Sequence, residues 1–127
     1  MSPANIEARI KTSSPLIGQA VVIGDARPYN VALVVLDPDG ALAFCRARGL
    51  DLPRSQLVEH EAVRAELDRA IAAANEHLSR VEQIKRYALL PDEWLPAGDE
   101  LTPTMKLRRK PIAAKYAAQI EALYTGE

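Results

Sequence analysis

Two apolar, β-branched runs, Gln19-Ala20-Val21-Val22-Ile23 and Val31-Ala32-Leu33-Val34-Val35-Leu36, stand only seven residues apart. The segment between them, Gly24-Asp25-Ala26-Arg27-Pro28-Tyr29-Asn30, is turn chemistry and too short for a crossover helix. The pair therefore reads as an antiparallel hairpin, and every other element must pack against it. At 127 residues, 48% of them hydrophobic, the chain has the size and composition of one globular domain. Aromatic residues make up only 5%, so its core must be built from Leu, Ile, Val and Ala.

Helix signals surround the hairpin. Pro3 to Lys11 reads as a first helix, with Ser2 able to cap it and Ile6 and Ile10 spaced at i, i+4. Asp37-Pro38 supplies an N-cap and a first-turn proline, and Gly49 stands where a helix-ending glycine belongs, which predicts a helix over 38–48. Val63, Leu67, Ala70, Ile71, Ala74, Leu78 and Val81 trace one helical face from about Glu61 to Arg80. Ile84 to Leu90 reads as a third strand, stopped by Pro91. A proline-rich loop to about Thr104 follows, then a last helix from roughly Lys110 to Tyr124 with Ile112, Tyr116, Ile120 and Leu123 on one side. The expected fold is α+β: a small three-stranded, mainly antiparallel sheet, made of the hairpin and a later strand, packed with helices.

Sixteen basic and seventeen acidic residues give a net charge of −1, without the basic excess of a dedicated nucleic-acid binder. No apolar run approaches the roughly 18 residues of a membrane span, and the N-terminus has neither the basic nor the apolar region of a secretory signal. One cysteine, Cys45, forms no internal disulfide and reads as a small buried hydrophobe, so a cytoplasmic setting is expected. His60 and His77 match no zinc spacing, and no metal site is expected. Nucleotide-binding glycine loops and nucleophile elbows are absent. Trp94 reads as a loop anchor.

The charge distribution is uneven. Pro91 to Glu100 holds four acids and no base, whereas Leu101 to Lys115 holds five bases (Lys106, Arg108, Arg109, Lys110, Lys115) and no acid. Such blocks are usually solvated faces. Within the basic block, however, Lys106 follows Leu101-Thr102-Pro103-Thr104-Met105, a proline-braced loop with a hydroxyl on each side of the proline, just ahead of a helix. That placement can present one ammonium to an arriving anion.

Leu101-Thr102-Pro103-Thr104-Met105-Lys106-Leu107-Arg108-Arg109 resembles the terminal lysine motif of the AMP-forming acyl-CoA synthetases, in their long-chain fatty-acid branch. Ser2 to Glu7 is similar to the end of the family's loop after its interdomain hinge. Gly24 to Tyr29 resembles the branch's hairpin loop, and Val81 to Tyr87 its lead-in to the third strand. The wider superfamily usually carries glycine immediately before the lysine, where this chain has Met105.

The resemblance implies that residues 1–127 are the mobile C-terminal domain of such a ligase, without the N-terminal domain, the hinge and most of the loop after it; of an excised piece and a natural stand-alone domain, the excised piece is the favoured reading. ATP, Mg2+ and the fatty acid would be held mainly by that N-terminal domain, the chain's expected partner, with CoA as co-substrate. Lys106 would serve as the catalytic lysine of adenylation. Lys85 and Thr104 are candidate substrate-binding residues, Lys85 beside the CoA nucleotide or else a solvated strand-edge lysine. Arg108, Arg109 and Lys110 would hold CoA, meet the other domain or face water. Gly24 and Asp25 are turn formers first, with a place near the thioester-forming face second. Alone, the chain is expected to be inactive. The runner-up is a non-catalytic interaction domain that docks an acidic partner through its basic C-terminal loop. A membrane-surface module is weaker, since the last helix lacks a basic polar face. Peripheral membrane association of the parent enzyme stays open.

Overall fold

The computed structural model describes residues 3–24 and 27–125, so the expected cap at Ser2 and the turn residues Asp25 and Ala26 lie outside the described residues. Helix α1 (Pro3–Thr12) leads into strands β1 (Ile17–Ile23) and β2 (Asn30–Leu36). Helices α2 (Pro38–Arg48), α3 (Arg54–Leu57) and α4 (Glu61–Glu76) follow, then β3 (Ile84–Leu90), α5 (Arg109–Lys115) and α6 (Ala117–Thr125).

The strand order is β1-β2-β3. β1 and β2 form the expected antiparallel hairpin, with Ala20 opposite Val34 and Val22 opposite Ala32. β3 pairs with β2 in parallel, Leu33 opposite Ala88, so the sheet is mixed. The parallel pair follows from the connection: residues 37–83 cross over the sheet as helices, which returns the chain in the same direction. Central β2 alternates between two cores. Ala32, Val34 and Leu36 face α1, α2, α3 and α4, joining Ile6, Ile10, Leu67 and Ile71. Leu33 and Val35 face the opposite side, joining Trp94, Leu101, Ile112, Tyr116 and Ile120. A strand covered on both sides must be apolar at nearly every position, which is why β2 reads as an unbroken hydrophobic run.

The ends of α2 are those that the sequence signals. The Asp37 carboxylate accepts the Gly40 N–H at 2.8 Å, and Gly49 takes the left-handed backbone (φ 66°, ψ 30°) that closes the helix. Cys45 is buried on this helix. The long helix is shorter than its periodicity suggests: α4 ends at Glu76, and Val81 is 71% exposed instead of continuing the apolar face. Asn75 explains the stop. Its side chain donates to the Ile84 carbonyl (3.0 Å) and accepts the Ile84 N–H (2.8 Å), and so receives the first residue of β3 in place of another helical turn. Glu82 then accepts from the Ser79 N–H and hydroxyl in a separate turn. His60 caps the start of α4 by accepting the Ala62 N–H on Nδ1, a role that spacing did not suggest. The last helix is divided at Tyr116 (φ −107°, ψ 24°), although Ile112, Tyr116 and Ile120 do share one buried side.

Candidate functional site

Lys106 sits at the closing position of a very small hairpin. Leu101 and Leu107 form an isolated antiparallel bridge. Leu101 is fully buried and Leu107 packs on the same core, so both legs are pinned to the sheet. Between them the Met105 N–H donates to the Thr102 carbonyl and the Thr102 N–H donates to the Lys106 carbonyl, each at 2.9 Å. Pro103 occupies the position where a fixed φ favours the turn. Met105 follows in the left-handed region at φ 68°. A turn followed by one left-handed residue is the usual build of a three-residue hairpin loop, and glycine is the residue with the least resistance there. The geometry thus gives a physical reason for a glycine before the lysine, and shows Met105 accepting the same backbone at a cost of roughly 1–2 kcal/mol. Met105 itself is 47% exposed.

The five bases of the run meet different fates. Arg109 grips Glu7 with both terminal guanidinium nitrogens, Nη1 and Nη2, at 2.7 and 2.6 Å. Glu7 is 4% exposed and also accepts the Val22 N–H at 2.8 Å, so one carboxylate joins α1, the free edge of β1 and the start of α5. The hydrogen bonds that Arg109 gives to Glu7 raise its own pKa above the ordinary value. Lys115 pairs with Glu100, another buried acid, whose hydrogen bond raises the lysine's pKa. Arg108 donates its side chain to the Gly98 carbonyl and its main chain to the Glu100 carbonyl. The acidic and basic blocks are therefore partly stitched to each other. Among the described residues the ammonium groups of Lys106 and Lys110 have no ion-pair or hydrogen-bond partner. Lys106 is exposed.

Thr104, at the hairpin tip, is exposed, and its hydroxyl lies 3.1 Å from that of Thr102. Lys85 is exposed on β3, at the end of the sheet where Asn30 pairs with Ile84 and where the β1–β2 loop turns. The structure brings Thr104 together with Lys106 on one loop; no hydrogen bond or ion pair joins either to Lys85. The described part of the β1–β2 loop is held firmly. Gly24 is required because a Cβ there would run into Oδ1 of Asn30, whose amide nitrogen is engaged with the Val81 and Glu82 carbonyls. Arg27 pairs with Glu121 and lies over the Tyr124 ring, and the Tyr124 hydroxyl reaches the carbonyls of Ile23 and Tyr29.

The loop ahead of the hairpin is anchored by Trp94, 6% exposed, which donates Nε1–H to the Tyr116 hydroxyl. That hydroxyl donates to Asp92 at 2.6 Å. Burial, and then the hydrogen bond to Asp92, push the Tyr116 pKa up to about 12. Reading the sequence singled out Lys106 but not the contacts that hold its loop. The Glu7–Arg109 pair spans 102 positions and leaves no local signal. Thr102 did carry one, a hydroxyl immediately before the turn proline.

The sequence model of the family described as AMP-binding enzyme C-terminal domain matches residues 1–127. The chain is 50% identical over its whole length to fadD11 of Mycobacterium tuberculosis, a protein whose name marks it as an inferred fatty-acid–CoA ligase, and covers 22% of it. It is 37% identical over its whole length to the long-chain-fatty-acid–CoA ligase FadD15 of Mycobacterium tuberculosis, covering 21% of that protein. The chain thus spans about a fifth of the length of these curated relatives. Among solved structures, the A domain of the carboxylic acid reductase from Segniliparus rugosus, in complex with AMP and a co-purified carboxylic acid, superposes with a TM-score of 0.73 at 27% identity. The match covers 99% of this chain and 18% of that one. The family match takes in both the mixed sheet and the lysine hairpin, and the chain belongs to the AMP-binding enzyme C-terminal domain family.

Proposed function

We propose that residues 1–127 act as the mobile C-terminal domain of an AMP-forming long-chain fatty-acid–CoA ligase. In the first half-reaction a fatty acid carboxylate attacks the α-phosphate of ATP, giving acyl-adenylate and pyrophosphate. In the second, the CoA thiolate displaces AMP. The domain offers Lys106 to the first step and a different face, including Lys85 and the Gly24–Tyr29 loop, to the second. The observation that carries this reading is Lys106 itself: exposed, at the closing position of a pinned hairpin, and unpaired among the described residues, while Arg109 and Lys115 in the same run are occupied and the equally unpaired Lys110 stands in the first turn of α5. The named relatives, one a long-chain-fatty-acid–CoA ligase and the other named as an inferred fatty-acid–CoA ligase, and a structural neighbour that holds AMP and a carboxylic acid support it.

An ammonium between the attacking carboxylate and the α-phosphate stabilises the charge that gathers in the displacement. At about 4 Å and an effective dielectric near 20, one such contact contributes roughly 4 kcal/mol, about a thousandfold in rate. Thr104, beside Lys106, lines the same approach. Lys85 meets a phosphate of CoA once the domain has turned. No group of three metal-ligating side chains occurs among the described residues, and in this reading the Mg2+ that accompanies ATP is held mainly by the N-terminal domain. ATP and the acyl chain are bound by the N-terminal domain, the partner this reading requires, in a cytoplasmic enzyme.

The test is Lys106→Ala in the full-length ligase, with the half-reactions measured separately. Adenylation, read by pyrophosphate release, should fall about a thousandfold, and thioester formation from supplied acyl-adenylate should persist. Equal loss of both would refute the division of labour. The 127-residue chain alone should form no acyl-CoA.

A further inference from the structure

We infer that Thr102 is a positioning residue for Lys106 in adenylation, acting through its side-chain hydroxyl; this rests on Lys106 serving that half-reaction. Three hydrogen bonds tie Thr102 to the main chain of Met105 and Lys106. Its N–H donates to the Lys106 carbonyl, its carbonyl accepts the Met105 N–H, and its hydroxyl accepts the Lys106 N–H at 3.1 Å. The third bond exists because of the second. Left-handed Met105 adds one residue to the turn, so its own N–H takes the carbonyl that a plain hairpin would offer to Lys106. The Lys106 amide is thereby left without a main-chain acceptor, and the Thr102 hydroxyl supplies one.

The consequence bears on the ammonium. A lysine side chain is a point charge on a flexible four-carbon stem, and only its first bond is fixed by the backbone. Lys106 is exposed, with no neighbour pairing its charge among the described residues, so the direction in which the stem leaves the chain is set by the hairpin alone. The hydroxyl bond clamps the peptide between Met105 and Lys106, and with it that direction. Holding a reacting group near its productive position lowers the entropy lost in reaching the transition state. Thr104 braces the clamp in turn, since its hydroxyl lies 3.1 Å from that of Thr102.

In the full-length ligase, Thr102→Val keeps the shape and removes the acceptor, whereas Thr102→Ser keeps the acceptor. A single neutral hydrogen bond predicts that Val lowers the adenylation kcat about tenfold, with KM for ATP and thioester formation from acyl-adenylate within about twofold. Serine should restore adenylation to within about twofold of the parent. In a Lys106→Ala background, Thr102→Val should add no further loss, because a residue acting through Lys106 has nothing left to position. The inference is overturned if Val leaves adenylation unchanged, if both half-reactions fall together, or if Ser behaves like Val. Should Lys106→Ala itself spare adenylation, the reading beneath the inference fails instead, and the two failures are told apart by that control.

Discussion

Lys106 and Arg109 lie three residues apart in one basic run, and their surroundings differ in almost every respect. Arg109 fits its planar fork onto Glu7, a buried carboxylate that also takes an edge N–H of β1. Lys106 closes a three-residue turn whose legs, Leu101 and Leu107, pack on the core and whose tip is exposed. On the proposed function, the difference separates structure from catalysis within a single charge block. A buried acid needs a cation, and the arginine that satisfies it is thereby committed to the fold. On the proposed function, Lys106, unpaired among the described residues and carried on the hairpin, keeps its charge for an anion that arrives from elsewhere.

Neutralising each side of this comparison should have unlike effects. The largest is on catalysis: Lys106→Ala should lower adenylation by about a thousandfold while hardly moving the urea midpoint of the 127-residue chain. The converse is Arg109→Met, which leaves the Glu7 carboxylate buried with only the Val22 N–H. It should cost about 3 kcal/mol in urea denaturation, the low end of the range for a broken buried pair because Arg109 is itself 44% exposed. Comparable destabilisation by both changes would erase the distinction. A smaller effect concerns the turn. Met105→Gly should keep adenylation, since glycine accepts φ 68° freely, whereas Met105→Val should lose about tenfold, since a branched Cβ resists that backbone. Equal activity of the two would mean that the left-handed residue does not hold the lysine.

The smallest effect lies away from the site. Glu66, hydrogen-bonded by Arg69 and Ser14, has its carboxyl pKa lowered from 4.5 to about 2, the Arg69 bond being the main cause. A folded value below the unfolded one means that its contribution is complete above pH 4.5 and is lost as pH falls towards 2. Glu66→Gln should therefore flatten that part of the acid-denaturation curve. An unchanged curve would show that the ion pair contributes nothing.

The parts of the fold legible in the sequence were those with local causes. The hairpin follows from two β-branched runs around a short turn, and α2 from Asp37-Pro38 and Gly49. The end of α4 was not legible, because it depends on the Asn75 side chain being taken by the first residue of β3, a contact between elements that periodicity does not record. The break at Tyr116 was hidden for a related reason: its hydroxyl is engaged by Asp92 and Trp94, more than twenty positions earlier. At the site, Lys106 stood out through its proline-braced loop. The fates of Arg108, Arg109 and Lys115 were invisible, because each was decided by an acid or a carbonyl that only folding brings near.

The most direct measurement neutralises Lys106, Arg108 and Lys110 one at a time in the full-length ligase and follows adenylation across a range of salt concentrations. A loss of about a thousandfold is expected for Lys106→Met alone, with the other two within about threefold and little dependence on salt. Graded, similar losses at all three positions, deepening steeply as salt rises, would contradict it and point to a basic docking surface instead.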